Sequence, residues 1–300
     1  MEKESGRSPV AGVRFVRTEL ECLPCFMRQI SRTLGYAGVN GDRGRDITRR
    51  AEIIIENASF DQAPARVSTL LHRLIRSESG VDPYARLKDE YNRIALEKLP
   101  AARKLVLEHG EDHLAGSVRA AIAGNVIDFG IYDTVDLDRA LHDAFHLPLS
   151  ESAYADFSRA VQNARTVLYL CDNAGEIVFD RILIETIRGM GKKVIAAVKG
   201  APVINDATLD DARSAGLPGS ASVVIDNGND GIGTLLELCA EPFREAYRTA
   251  DLIISKGQAN YETLAGERDP RTFFLFMVKC PVVAKALDRE QGDIILMSNR

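Results

Sequence analysis

From Thr166 to the carboxyl terminus the chain repeats one unit: a short unbroken apolar run, a break on polar residues and glycine, then a helical pattern. The runs are "TVLYLC", "KVIAAVK", "SASVVIDN", "DLIISK", "RTFFLFMVK" and "DIILMS". Continuous runs, rather than alternating ones, are what strands need when both faces of a sheet are covered, as in parallel sheets. Between the first two runs, "GEIVFDRILIETIRGMG" has helical spacing and is stopped by Gly189 and Gly191. Alternation of this kind predicts an α/β fold with a doubly wound, mostly parallel sheet.

The preceding part has a different rhythm. From about Glu19 to Val161 the apolar spacing is helical and no strand is evident. "LPCFMRQISRTLGYAG" closes on Gly35 or Gly38, "DITRRAEIIIENA" opens on an aspartate suited to capping, and "PARVSTLLHRLIRSESG" ends on Gly80. Pro100 predicts a kink or a join in the long amphipathic stretch from Asp82 to Gly110. "HLAGSVRAAIAGNVIDFG" is rich in small residues that permit close helix packing. With "LPLSES" as the loop signal, the chain divides into a helical domain, 1–155, and an α/β domain, 156–300.

Composition narrows the function classes. Hydrophobic content of 45% and charged content of 27% over 300 residues describe a globular protein with ample core. A net charge of −5 gives no basic footprint for nucleic acid. No stretch reaches the roughly 20 apolar residues of a membrane helix, and "MEKESGRSPVAGVRF" lacks a signal-peptide core, so a cytoplasmic location is expected. Of five cysteines, only Cys22 and Cys25 have ligand spacing. A single CxxC is half a zinc site, a redox pair or a structural coincidence, and the structural reading is favoured.

In a parallel sheet all carboxyl ends of strands meet on one side, where open α/β sheets keep their ligand crevice. The first strand end supplies Asp172, Asn173, Gly175 and Glu176; the second supplies Lys199 and then Asn205 and Asp206. The third supplies Asp226 and Asn227, and the fourth Lys256, Gly257, Gln258 and Asn260. Carboxylates and amides suit a hard cation such as Mg²⁺ or Mn²⁺. All five histidines precede Thr166, and the pairs His109/His113 and His142/His146 read as surface or capping residues. G-x-G-x-x-G, Walker A and G-x-S-x-G are absent, which argues against nicotinamide, P-loop and serine-hydrolase chemistry.

"CLPCFMRQ", "AIAGNVIDFG", "DNAGEIVFD", "KGAPVINDAT" and "SKGQANYETL" together resemble the metal-dependent damage-control phosphatases, in their compact prokaryotic branch with an amino-terminal CxxC. The resemblance implies a helical region packed on a Rossmann-like three-layer α/β/α sandwich. It implies a divalent cation (Mn, Mg, Co or Ni) held by Asp172, Asn173 and Asp206, with Lys256, Gly257 and Asn260 holding a small phosphorylated metabolite. Gln258 stands where many relatives carry an acid, and Asn125 and Asp128 would reach the crevice from the helical part.

The expected chemistry is hydrolysis of a phosphate monoester. Lys256 would bind a non-bridging oxygen, with Lys199 beside it, and the main-chain N–H groups of Gly257 and Gly175 would donate to the others. Asp172, Asp206 and Glu176 are the expected catalytic set; the nucleophile is a metal-activated water oriented by Glu176 or Asp206, or else a carboxylate, with the water favoured. The acid partner of a D-x-D aspartyl-phosphate motif is missing, because Ala174 occupies that place. A non-catalytic sensor of phosphometabolites and a carboxyl methyltransferase are the competing readings.

Overall fold

The computed structural model describes residues 14–108, 110, 112–126 and 137–300. Its helical part comprises α1 (Cys22–Tyr36), α2 (Gly41–Glu56), α3 (Pro64–Ser79), α4 (Ala85–Glu108), α5 (His113–Val126), α6 (Leu137–His146) and α7 (Glu151–Asn163). Gly80 closes α3 in the left-handed conformation, φ 75°, as its sequence predicts. The expected cap of α2 is displaced: the helix opens at Gly41 with Asn40 before it, so Asp46 lies inside it. Helix α4 runs through Pro100 as one helix, so of the two expectations, a kink or a join, the join does not form.

All six predicted strands form: β1 (Thr166–Leu170), β2 (Lys193–Val198), β3 (Val223–Asp226), β4 (Leu252–Lys256), β5 (Thr272–Met277) and β6 (Ile294–Ser298). The helices between them are α8 (Glu176–Gly189), α9 (Leu209–Ser214), α10 (Leu217–Ser220), α11 (Glu241–Thr249), α12 (Gln258–Leu264) and α13 (Pro281–Leu287). The sheet order is β3-β2-β1-β4-β5-β6, with every pair parallel except β5–β6. The chain reverses direction of winding between β1 and β4, and this is the switch point where a crevice opens.

Strand alternation divides the core between two layers. Val167, Tyr169 and Cys171 pack with α4, α5, α7 and α8, while Leu168 and Leu170 pack with α1 to α3 and with α11 to α13. The small residues of α5 serve close approach, since a Cβ on Gly124 would stand 3.1 Å from the ring of Phe179 on α8. The division expected at residue 155 falls within α7, and both large apolar clusters draw on residues from either side of it. Among the described residues, no helix is long and apolar enough to cross a membrane.

Candidate active site

The loops after β1 and β2 are stitched together by their backbones. Ala174 N–H donates to the Asn205 carbonyl (2.9 Å) and Ala207 N–H donates to the Asp172 carbonyl (2.8 Å). That pairing sets Asn173 directly opposite Asp206. Gly175, at φ 79°, then turns the chain into α8, whose first residue is Glu176. Asp172, Glu176 and Asp206 thus converge, all of them buried.

Amides and two lysines hold this acidic group, Lys199 at Asp206 and Lys256 at Glu176. Asn125 Nδ2, reaching over from α5, donates to Glu176 Oε2 (2.9 Å) and to Asp172 Oδ2 (3.3 Å). Asn173 Nδ2 donates to the same two oxygens, at 3.3 and 2.9 Å. Lys199 Nζ lies 3.3 Å from Asp206 Oδ2 and donates to the Gly233 carbonyl. Asp206 Oδ2 is nonetheless buried without a hydrogen bond.

Burial, then repulsion from Glu176 and Asp206, pushes the Asp172 carboxyl well above the usual range. Burial likewise raises Asp206, against the pull of Lys199. Clustered buried acids, one of whose oxygens is held only by an ion pair to Lys199, are the electrostatic condition a cation relieves. The donor set is all oxygen, which fits a hard divalent ion. As the side chains stand, no group of three or more His, Cys, Asp or Glu among the described residues forms a ready metal cage.

Several expected roles are corrected. Lys256 does not face the crevice: it is fully buried and its ammonium contacts Glu176 Oε1 (2.6 Å), Asp180 Oδ1 and the Ala121 carbonyl (2.9 Å). Its three N–H groups are therefore all engaged by protein, and none is left for phosphate. Asn260 donates to the Lys256 carbonyl (2.7 Å) and accepts from Thr234 (2.8 Å), so it braces the loop. Gln258 donates to Glu262 (2.9 Å) and accepts from Lys279 N–H (2.8 Å), so its amide is engaged by protein. The amides expected to cradle phosphate are also committed: Gly257 N–H to the Leu275 carbonyl (3.1 Å), Gly175 N–H to Asn92 Oδ1 (2.7 Å). What Gly257 contributes is space, since it packs directly on the Asp172 carboxylate. Asp128 lies outside the described residues.

Three participants escaped the sequence reading. Asp180 carried a signal, being an acid one turn after Glu176 on an otherwise apolar helix face. Lys279, just past β5, shares the electrostatic environment of Asp172, and Asn92 on α4 anchors the turn at Gly175; neither stood out among ordinary polar residues. Cys22 is the first residue of α1 and its thiol is pushed up to about 11 by burial, which makes it an inert buried side chain.

Residues 18–295 match the family described as the damage-control phosphatase ARMT1-like domain. A damage-control phosphatase of Pyrococcus horikoshii is 35% identical over 95% of this chain and 99% of its own. Another, from Archaeoglobus fulgidus, is 34% identical over 81% of this chain and 85% of its own. An uncharacterized protein of Methanocaldococcus jannaschii is 36% identical over 94% of this chain and 95% of its own. Among solved structures, a DUF89 family protein from Pyrococcus horikoshii superposes with a TM-score of 0.83 at 33% identity, covering 95% of this chain and 99% of that one.

Proposed function

This chain belongs to the damage-control phosphatase family and is a phosphatase; from that premise we propose that it hydrolyses phosphate monoesters of small metabolites, sugar phosphates or damaged phosphometabolites, at the β1/β4 switch point with a divalent cation. The observation that carries this reading is the convergence of Asp172, Asn173 and Asp206, with a buried Asp206 oxygen that has no hydrogen bond. A cation of the Mn²⁺, Mg²⁺, Co²⁺ or Ni²⁺ type, held by these three, supplies neutralisation of phosphate charge and acidification of water.

The chain's own residues divide the remaining work. Lys199 and Lys279 place positive charge beside the acids, where a phosphate must enter. Glu176 Oε2, fixed by Asn125 and Asn173, is placed to orient water and take its proton. Asp206 is the second carboxylate able to do so. A cytoplasmic site of action goes with this reading.

The test is phosphate release by the purified protein from a panel of phosphometabolites, with each of the four cations and with chelator. Release that needs a divalent cation and vanishes in Asp172→Asn is expected. Cation binding by thermal shift without release from any ester would favour a sensor instead.

A further inference from the structure

We propose that Lys256 is a positioning residue: its buried ammonium, braced by Asp180, fixes Glu176 at the floor of the crevice. The proposal rests on the phosphatase reading and adds a device beneath it. Glu176 and Asp180 are one turn apart on α8, and Lys256 is the last residue of β4. The ammonium lies between the two carboxylates, its third contact being the Ala121 carbonyl on α5. Tyr169 of β1 donates its hydroxyl to the same Asp180 oxygen at 2.7 Å. Four elements therefore meet at one cation with none of Tyr169, Asp180 or Lys256 more than marginally exposed.

The arrangement fixes Glu176 at both ends of its carboxylate. Oε1 faces inward to Lys256, while Oε2 accepts from Asn125 and Asn173 beside Asp172. Ala121 and Asn125 lie one helical turn apart on α5, so one helix face holds both the lysine below and the amide above. A carboxylate on a long side chain loses its rotamer freedom here before substrate arrives, and that is the condition for oriented proton transfer. Burial opposes the charge on Lys256, but Asp180 and Glu176 outweigh it, so the ammonium persists. Removing the inward partner leaves Oε1 unanchored, with only the two amides on Oε2 to restrain the carboxylate.

The test compares wild type, Lys256→Met, Glu176→Gln and the double variant, each loaded with Mn²⁺. Turnover is measured with p-nitrophenyl phosphate, and affinity for inorganic phosphate by calorimetry. Lys256→Met is expected to lower kcat roughly a hundredfold, the scale of a misplacement of about an ångström. KM and phosphate affinity should stay within about threefold, because the lysine touches no substrate. Added to Glu176→Gln, the lysine change should cost little more, since it acts through that carboxylate.

Phosphate affinity falling in step with kcat, or losses that simply add, would overturn the assignment. If Lys256→Met does not fold, combining it with Asp180→Asn removes the stranded charge and the same comparison applies. A wild-type protein that releases no phosphate would defeat the phosphatase reading alone; phosphate calorimetry on the lysine variant still decides whether Lys256 is a ligand.

Discussion

A Cβ on Gly257 would lie 1.9 Å from Oδ2 of Asp172. The glycine also sits at φ 83°, where L side chains are strained. Backbone of one strand end is thus pressed against the carboxylate of another across the switch point. Gly257→Ala must displace Asp172 or the loop, at a cost of about 2–4 kcal/mol from strain and overpacking combined. Thermal unfolding should show a clear loss, and phosphate release should fall below a hundredth of wild type by the misplacement argument, to order of magnitude. An active, stable alanine variant would mean the contact is incidental.

Asp172→Asn keeps the shape of the side chain and removes its charge. Burial and two neighbouring acids disfavour the ionised form, so without a cation the variant should be as stable as wild type or slightly more. With Mn²⁺ the order reverses, because only wild type gains from binding. A thermal-shift titration of both proteins checks this. Equal stabilisation by the cation would remove Asp172 from the site.

Ile204, two residues before Asp206, has φ 43°, a left-handed conformation that a β-branched residue rarely takes. Ile204→Gly relieves that strain, but it removes a side chain packed against Ala65, Val203 and Ile232, and the greater freedom of the unfolded glycine costs about 0.5–1 kcal/mol more. The midpoint of unfolding should therefore fall. Mn²⁺ affinity and turnover should drop, since the strained turn no longer fixes Asp206. Unchanged affinity would show that the Asn173–Asp206 pairing suffices by itself.

Glu262 is buried, and that burial pushes its carboxyl up to about 7 against a hydrogen bond from Gln258. A folded-state value above the ordinary one means that the group's contribution is fully present below about 4.5 and is lost as pH rises through about 7. Glu262→Gln is neutral throughout. Its advantage over wild type should be near zero at low pH and grow to at most about 3 kcal/mol by pH 8. A pH-independent difference in unfolding midpoints would contradict this.

The strands and the doubly wound, mostly parallel character of the sheet were legible because burial on both faces leaves an unbroken apolar run, and the meeting of the Asp172–Asn173 and Asp206 segments because acids and amides ended two such runs. The role of Lys256 was not legible. A lysine closing a strand reads the same whether it points at a ligand or at Glu176 and Asp180, and only the packing of α5 and α8 over it decides. Asn92 and Asn125 share this difficulty, since an amide on a helix acquires meaning only from what lies across the interface. The run through Pro100 and the shifted start of α2 were matters of context overriding local preference.

The Asn125 side chain spans three strand ends and helix starts at once: it donates to Asp172 after β1 and Glu176 on α8, and accepts from Met277 N–H at the end of β5 (2.9 Å). Its helix belongs to the amino-terminal half, which a ribosome delivers first. The sheet that needs it comes later, and the edge strand β6 last of all. Because α5 belongs to the same apolar cluster as α8 and the strand faces it covers, its amide reaches the two carboxylates only once that whole layer has packed.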